Sequence, residues 1–543
     1  MVDQNAALSF NQSFDLFQAV SHHPCATNPN TPLLQFSDLP RDAWTLRDAY
    51  EGVQVFGATG SGKSSGVGRA LAHAYLKAGM GGIVLCAKPD EAETWLRYAA
   101  ETGRSNDIIL FGPDHPHRFN FLEYEMRRDQ TKADLAVSNV VDMLMTVMDV
   151  AARATSISAP AAGDKFWNQS TKMMLRQAVR LLHSTYGRVH LPEMIELLRT
   201  APIMPAQVMD KEFMKNSFFG QTLRRFYENK DVAFTLSKGD RDRVFQFWTS
   251  AFVNMPEKTR GNVLATIDAE LDPLLNGRMR DLFCTHSTIA PELTHDGKII
   301  VLDMPILEYN EAAVMGQQIV KYTWQRATQK RKTHRDSRPV FMFGDECQYF
   351  ISAYDMEFQS TARSSRAATV YMTQNLPLLY SKVGGNHAEH VINALIGNLR
   401  TKVFHLNQDE ATNQWAARLV GKTSIWRDSV SQNRSWNSSF SESKGTSSGA
   451  SYTTAGGGEG VSWSNSGNHG KTEGTSTSGG SSSSYGTSRT EHWDYAVEPE
   501  DFAKDLIDGG ERHGLIVTGV IMQGGRTWRR NRKHWMKVAF SQV

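Results

Sequence analysis

Cysteine is scarce in this chain, and the four cysteines that it has are far apart. Cys25, Cys86, Cys284 and Cys347 show neither a CxxC spacing nor a Cys/His pattern. This argues against a zinc site and against a framework of disulfides. We therefore expect a protein of a reducing compartment, the cytoplasm.

Long apolar runs and an excess of one charge are also missing. No stretch approaches the roughly 18 consecutive apolar residues of a membrane-spanning helix, and the N-terminal residues MVDQNAALSFNQ lack the pattern of a signal peptide. The 59 Lys and Arg residues exceed the 57 Asp and Glu residues by only two. The chain is therefore no strongly basic nucleic-acid binder, and any DNA-binding surface must be local.

What the chain does have is enough apolar sequence for large cores. It contains 543 residues, of which 40% are hydrophobic and 21% are charged, as in soluble globular proteins. This length exceeds one ordinary domain. We expect two folded domains and one large flexible insert.

The most informative motif is a glycine-rich loop after the mostly apolar run Val53 to Phe56. It reads GATGSGKS, which matches G-x-x-x-x-G-K-[ST]. In such a loop the backbone N–H groups bind phosphates, the lysine adds a positive charge, and the hydroxyl that follows ligates Mg²⁺. We therefore predict that ATP and Mg²⁺ bind here. The predicted nucleotide-binding residues are Gly57, Ala58, Thr59, Gly60, Ser61, Gly62, Lys63, Ser64 and Ser65, with Lys63 also catalytic and Ser64 also a metal ligand.

Short strand-like runs alternate with helix-like stretches around this motif, an order typical of a parallel sheet. Between residues 131 and 290, apolar residues instead repeat at helical spacing. We predict an α/β fold: a P-loop core with a mostly parallel central sheet, an inserted all-α domain and a Ser/Gly-rich flexible loop. The predicted segments are 1–50 (N-terminal extension), 51–130 and 291–428 (nucleotide-binding domain), 131–290 (all-α domain), 429–489 (flexible loop) and 490–543 (C-terminal strands that complete the core, and a basic tail).

Two C-terminal segments each allow two interpretations. Residues 429–489 are rich in Ser, Gly and Thr, which favours a flexible linker, but alternating Ser and Thr with interspersed aromatics also fit a polar β-ribbon. A basic cluster between Arg526 and Lys533 lies near Trp528 and Trp535. Such a cluster can bind phosphates and stack on bases, although a solvated surface is the commoner explanation for it.

Hydrolysis requires carboxylates beside the phosphate-binding loop. The apolar run of residues 340–344 ends in Asp345 and Glu346. We predict that Asp345 orients Mg²⁺ and that Glu346 takes the proton of the attacking water. A second apolar run ends in Asp303 without an adjacent glutamate, and it is the rival for this role.

Two further residues, both C-terminal to Glu346, fit roles that depend on the state of the nucleotide. Gln374 ends a strand-like run, where its amide can sense the γ-phosphate or the attacking water. Arg363 precedes the same run at the opposite end, so it suits the nucleotide of a neighbouring subunit as an arginine finger. An ordinary surface ion pair is the alternative for Arg363.

Together these residues resemble the additional-strand P-loop ATPases of the FtsK/HerA group, and more narrowly the TraG/TraD-type coupling proteins of conjugation and type IV secretion. The marks are GATGSGKS, the DExQ-like run of residues 345–348, and an arginine eleven positions before a strand-ending glutamine. The resemblance runs from about Val53 to Gly421 and again from Glu498 to Trp535. It implies a RecA-like motor domain, a hexameric ring and a helical domain that helps to recognise the substrate.

The resemblance also implies an activity, the ATP-driven pumping of DNA toward a type IV secretion channel. The DNA is commonly single-stranded and attached to a relaxase. Two departures stand out. The N-terminal membrane helices usual in coupling proteins are missing, so we expect at most a peripheral place at the inner membrane, through a separate membrane protein. The acidic residue usual after the phosphate-loop helix is also missing, because the segment reads Leu85-Cys-Ala-Lys88-Pro89.

Two other functions stay open at this point. One is a nucleotide-regulated receptor that recruits relaxase or effector proteins with little translocation. The other is a soluble motor of the same kind that serves DNA repair or phage defence. The paired acids Asp345 and Glu346 favour turnover over a pure receptor, because a receptor has little need of a general base.

Overall fold

The fold is described here from a computed structural model of the chain. The structure describes residues 23–128, 133–155, 164–228, 236–383, 388–442 and 475–543. The chain divides into two compact units, one of Met1–Val420 with Val497–Val543 and one of Gly421–Ala496. The larger unit contains the glycine-rich loop and the paired acids.

A mostly parallel sheet, nine-stranded over the described residues, forms the centre of the larger unit. The strands of the chain are β1 Pro32–Gln35, β2 Ala43–Thr45, β3 Val53–Phe56, β4 Gly81–Leu85, β5 Ile108–Phe111, β6 Ile299–Leu302, β7 Val340–Gly344, β8 Ala367–Thr373, β9 Thr401–Phe404, β10 Lys422–Glu442, β11 Thr475–Tyr495, β12 Ile516–Gln523 and β13 Trp535–Ser541. The central sheet has the order β13-β12-β9-β3-β8-β7-β4-β6-β5. All strands from β9 to β5 run parallel, whereas β12 and β13 are antiparallel to their neighbours.

Burial on both faces explains why these runs form the centre of a parallel sheet. β3 (VQVF), β4 (GGIVL), β7 (VFMFG) and β8 (AATVYMT) are buried at every position. Continuous apolar runs of this kind are typical of parallel strands covered by helices on both faces. β8 lies between β3 and β7 and is parallel to both. The carboxyl ends of these three strands therefore meet at one edge of the sheet.

Helices cover the sheet and fill the long interval between β5 and β6. They are α1 Leu46–Tyr50, α2 Arg69–Lys77, α3 Glu91–Glu101, α4 Phe121–Arg128, α5 Ala133–Thr155, α6 Asp164–Tyr186, α7 Leu191–Arg199, α8 Pro205–Met209, α9 Lys211–Asn216, α10 Phe218–Glu228, α11 Lys238–Gln246, α12 Glu257–Leu275, α13 Gly277–Phe283, α14 Ile306–Lys330, α15 Ala353–Ala362, α16 Leu376–Val383, α17 Ala388–Asn398, α18 Glu410–Val420 and α19 Asp501–Lys504. The run from α4 to α13 contains no strand over the described residues. The predicted α/β fold with a mostly parallel sheet and an all-helical insertion is confirmed.

Aromatic side chains join α2 and α3 to the sheet. The ring of Phe341 on β7 lies 5.5 Å from that of Tyr75 and 5.7 Å from that of Trp95. Such pairs contribute about 0.5–1.5 kcal/mol each beyond the area that they bury. None of the helices in the described ranges is long and apolar enough to span a lipid bilayer.

The smaller unit contains a two-stranded antiparallel ribbon. β10 and β11 pair without a bulge, from Lys422 opposite Tyr495 to Glu442 opposite Thr475. Over these strands the structure has the polar β-ribbon and not the flexible linker that the composition favours. Antiparallel backbone pairing joins the two 21-residue strands along their whole length. The predicted residues 443–474 of this loop, like residues 1–22 of the N-terminal extension, lie outside the described residues.

Candidate nucleotide site

The glycine-rich loop joins β3 to a π-helical turn, Ser64–Gly68, that leads into α2. Gly60 and Gly62 have positive φ angles of 77° and 76°, which glycine adopts without strain. Ser61 is buried, and its hydroxyl has no hydrogen-bond partner among the described residues. A loop of this curvature at the start of a helix directs backbone N–H groups at an anion.

The acidic end of β7 meets this loop. The Ser64 hydroxyl donates to Asp345 Oδ2 over 2.6 Å, and the Lys63 ammonium lies 3.4 Å from Glu346 Oε1. The side chains of Lys63 and Glu346 are only 7% and 9% exposed, so water screens this pair weakly. The structure thus brings together four of the residues predicted for the site, from two distant parts of the chain.

Glu346 is held in an unusual backbone conformation. Its φ of 47° and ψ of 48° lie in the left-handed region, which costs a non-glycine residue about 1–2 kcal/mol. Its Oε2 accepts a hydrogen bond of 2.8 Å from the Gln348 amide, and Gln348 Oε1 accepts one of 2.9 Å from the Thr373 hydroxyl. Burial tends to raise the pKa of Glu346, but Lys63, Gln348 and Lys88 together lower it below its ordinary value. The carboxylate is therefore ionised and able to accept a proton.

Lys88 is a charged residue of the site that was not among the predicted site residues. Its ammonium lies 3.3 Å from Asp345 Oδ2 and 3.4 Å from Glu346 Oε1. Burial tends to lower the pKa of Lys88, but Asp345, Glu91 and Glu346 raise it to about 12, so the side chain is charged. Its position just after β4 brings it to these acids because β4 pairs with β7, a neighbourhood that the sequence does not show.

Glu91, at the start of α3, holds the turn that carries Lys88. Its Oε2 accepts hydrogen bonds of 2.6 Å from the Ala87 backbone N–H and 3.3 Å from that of Lys88. Burial, with a smaller contribution from Asp345, raises the pKa of Glu91 to about 8. A carboxyl group thus lies close to the position where the usual acid of the resembling family is missing.

Gln374 and Arg363 lie at opposite ends of β8, as the sequence indicated. Gln374 follows the strand at the edge that carries Asp345, and its backbone carbonyl accepts a hydrogen bond of 2.9 Å from Asn407 Nδ2. Arg363 follows α15 at the other edge, where its guanidinium is 55% exposed and lies 3.5 Å from Glu51 Oε1. Within one subunit, Arg363 is therefore in the surface ion pair that was its alternative interpretation, away from the glycine-rich loop.

The rival acid and the basic cluster occupy other parts of the sheet. Asp303 follows β6, which β4 separates from β7, and its Oδ2 lies 2.7 Å from His115 Nε2. In the C-terminal cluster, Arg526 pairs with Asp48 over 2.8 Å and lies 4.0 Å over the ring of Trp528, which is fully buried. Trp528 is thus a core residue, and its ring is not available for stacking on a base.

The residues present fit a magnesium nucleotide. Mg²⁺ usually takes one or two carboxylates together with substrate phosphates and keeps several waters. Ser64 and Asp345 supply such a partial set at the phosphate-binding loop. In the described ranges there is no cluster of three or more His, Cys, Asp or Glu residues that would hold a metal without a phosphate.

Comparison with solved structures shows the same fold in a conjugation protein. The unbound monoclinic form of the bacterial conjugative coupling protein TrwBdeltaN70 matches with a TM-score of 0.55 and 14% identity, covering 94% of this chain and 89% of that one. The plasmid coupling protein TrwB with ADP and Mg²⁺ matches with a TM-score of 0.53, and its complex with the non-hydrolysable ATP analogue ADPNP with 0.52, both at 14% identity. They cover 94% and 95% of this chain, and 89% and 91% of theirs.

Comparison with known sequences gives one family match. Residues 339–455 match the family described as the TraM recognition site of TraD and TraG. No curated protein sequence matches the chain significantly. The resemblance drawn from the motifs is thereby confirmed as a similarity: the chain shares the fold of a conjugative coupling protein, and residues 339–455 match the family model of TraD and TraG.

Proposed function

We propose that this chain is a coupling ATPase that uses ATP hydrolysis to move DNA for conjugative transfer through a type IV secretion system. The observation that carries the proposal is the contact of Lys63 and Ser64 with Glu346 and Asp345. These four side chains supply the phosphate contact, the metal ligands and the base that phosphoryl transfer to water requires. The shared fold and the TraG/TraD-type segment support the conjugative role.

The residues divide the work as follows in this proposal. Residues 57–65 bind the phosphates, Ser64 and Asp345 hold Mg²⁺, and Glu346 takes the proton of the attacking water. Gln374 responds to the γ-phosphate. It directly follows Thr373, whose hydroxyl donates to Gln348, and the Gln348 amide in turn donates to Glu346. Bound Mg²⁺ offsets the charge that develops on the phosphates. Arg363 acts on the nucleotide of the next subunit in a hexameric ring.

The proposed substrate is DNA, in single-stranded form, with a relaxase and other relaxosome proteins as protein partners. The motor delivers it to the secretion channel, with a separate membrane protein as the tether. The net charge of +2 over the whole chain means that the DNA contacts must be concentrated on a local surface.

An ATPase titration with and without DNA tests the motor. We expect hydrolysis that single-stranded DNA stimulates more than double-stranded DNA does. The stimulation should fall steeply as salt rises, because phosphate contacts release counterions. Lys63→Ala should abolish both basal and stimulated turnover; full residual turnover in this variant would disprove the assignment of the site.

A second candidate function is a nucleotide-regulated receptor for relaxosome proteins. It is favoured by the match of residues 339–455 to a family described as a recognition site for a partner protein. A receptor would show slow hydrolysis that DNA does not change, together with tight binding of a relaxosome protein that depends on nucleotide. The same titration therefore separates the two functions.

A further inference from the structure

Lys88 lies in the site, but none of the roles proposed for the phosphate-binding loop, the paired acids and the sensing glutamine involves it. It lies at the carboxyl edge of the sheet, because β4 pairs with β7 in parallel register, with Leu85 opposite Gly344. Its ammonium contacts both acids that follow β7, at 3.3 Å from Asp345 Oδ2 and 3.4 Å from Glu346 Oε1. A single cation therefore bridges the carboxylates assigned to the metal and to the base.

The contact with Asp345 is made at a particular oxygen. Asp345 Oδ2 also accepts the hydrogen bond of the Ser64 hydroxyl, at 2.6 Å. Ser64 and Asp345 are the two protein groups that fit Mg²⁺, so the ammonium of Lys88 lies against the oxygen at which a metal ion would bind. In the absence of nucleotide, Lys63 and Lys88 balance the charges of the two acids. A metal ion held by Ser64 and Asp345 would supply positive charge at this oxygen in place of the ammonium of Lys88.

Lys88 is also the more exposed of the two lysines. Its side chain is 37% exposed, against 7% for Lys63, and its charge sits on a flexible four-carbon stem. The backbone beneath it is fixed, since Glu91 accepts hydrogen bonds from the N–H groups of Ala87 and Lys88. The fixed turn keeps the ammonium near the site while the stem lets it change partner.

We propose that Lys88 is a second, movable ammonium of the nucleotide site: it holds Asp345 and Glu346 together without nucleotide and contacts the terminal phosphate of a bound triphosphate. This proposal rests on the proposed nucleotide-binding function. It assigns to Lys88 a role in distinguishing triphosphate from diphosphate, because only the triphosphate offers the terminal phosphate. A charge-assisted contact of this kind is stronger than a neutral hydrogen bond.

The first test compares affinities for MgATPγS and MgADP by calorimetry on the full chain. In Lys88→Met we expect the ratio of the two affinities to fall about tenfold, because only the triphosphate loses a contact. The ratio cancels any change that affects both nucleotides, such as easier metal binding at an unpaired Asp345. Lys88→Arg should restore part of the ratio. The matched control is Lys172→Met, since Lys172 is 41% exposed and ion-paired with Asp142 on the helical insertion.

A second test uses the unchanged protein and so does not depend on a variant that folds. Acetylation of Lys88 by a water-soluble ester is followed by mass spectrometry with MgADP and with MgATPγS. We expect Lys88 to react several-fold more slowly with MgATPγS, while Lys172 reacts at the same rate with both.

Failure of this inference about Lys88 can be told apart from failure of the proposed nucleotide-binding function. If the unchanged protein binds neither nucleotide, the nucleotide site is disproved. If it binds both, yet Lys88→Met leaves the affinity ratio within twofold and Lys88 is acetylated equally with both, then Lys88 is only a structural ion pair and the inference is overturned.

Discussion

At the scale of single residues, Glu346 shows how the site sets the charge of its proposed base. The left-handed backbone turns its carboxylate toward Lys63 on one side and Gln348 on the other. Because both neighbours donate to it, its pKa lies below the ordinary value and the group stays ionised well below neutral pH. The stability gained from this pairing is complete above about pH 4.5 and is lost only as the pH falls through the lowered pKa.

Replacing Glu346 by glutamine separates binding from chemistry. Glu346→Gln should lower ATP turnover about 10²- to 10⁴-fold, because the base is lost. The dissociation constant for MgATPγS should change only a few-fold, since Lys63, Ser64 and Asp345 remain. Turnover is measured by phosphate release and binding by calorimetry. Glu357→Gln, an exposed position on α15, is the control; normal turnover in Glu346→Gln would assign the base elsewhere.

His405 makes the stability of the site region depend on pH. It is fully buried, its Nδ1 donates to the Thr518 carbonyl over 2.9 Å, and burial lowers its pKa to about 4. The unfolded chain takes up this proton near pH 6.5, so folding is opposed between about pH 6.5 and pH 4. The contribution lost on going from pH 7 to pH 5 is about 2 kcal/mol.

Urea unfolding at pH 7 and pH 5 measures this effect. The midpoint should fall on acidification in the unchanged protein and fall less in His405→Asn, whose amide can keep the hydrogen bond to Thr518. Equal shifts in both proteins would show that other groups cause the pH dependence.

At the scale of elements, the C-terminal strands support the phosphate-binding loop. A Cβ added to Gly62 would lie 2.8 Å from Val517 Cγ2, and one added to Gly66 would overlap Val517 Cγ1. Near the end of the chain, Gln542 Nε2 donates to the Ser65 hydroxyl over 2.6 Å. β12 and the residues after β13 therefore pack against the loop and the helical turn that follows it.

Gly66→Ala should accordingly destabilise the protein by about 1–3 kcal/mol through overpacking. The double variant Gly66→Ala with Val517→Ala should recover part of this loss, because the second change removes the overlapping methyl group. Gly397→Ala, where an added Cβ meets nothing within 4 Å, should be neutral or slightly stabilising. Melting temperatures of the unchanged protein, of Gly66→Ala, Val517→Ala and their double variant, and of Gly397→Ala test the argument; additive losses in the double variant would contradict it.

Sequence patterns predicted the strands of the central sheet better than the two strands of the ribbon. The runs at β3, β4, β7 and β8 were recognisable because every position except Gln54 of β3 is apolar or small. The ribbon of β10 and β11 was only an alternative, because its Ser/Gly composition gives no apolar face by which to tell a strand from a linker. The interspersed aromatic residues allowed the ribbon as an alternative but did not decide for it, since exposed side chains such as Trp436 and Tyr485 do not pack in a core.

At the scale of the whole molecule, the order of the strands in the central sheet determines which residues meet at the site. Lys63 and Glu346 could be paired in advance because both belong to motifs whose chemistry is known. Lys88 could not, because its contact with Asp345 depends on β4 lying next to β7, and the sequence does not state the order of strands. The contact of Val517 with the glycine-rich loop could not be predicted either, because it depends on β12 pairing with β9.

Mixing two inactive variants tests whether Arg363 serves a neighbouring subunit. Lys63→Ala and Arg363→Ala should each have little turnover alone. In an equal mixture that exchanges subunits, about a quarter of the sites would combine an intact Lys63 with an intact Arg363 from the neighbour. We therefore expect partial recovery of ATP hydrolysis. No recovery, although mass measurement shows mixed assemblies, would leave Arg363 as the partner of Glu51 only.

The packing of Val517 on the phosphate-binding loop also bears on how the chain is made. Val517 leaves the ribosome 455 residues after Gly62, which at ~5–20 residues per second is a delay of roughly 25–90 s. For that interval the nascent loop lacks the strand that packs against it. Prematurely terminated chains would consequently carry the whole glycine-rich motif without the strand that packs against it.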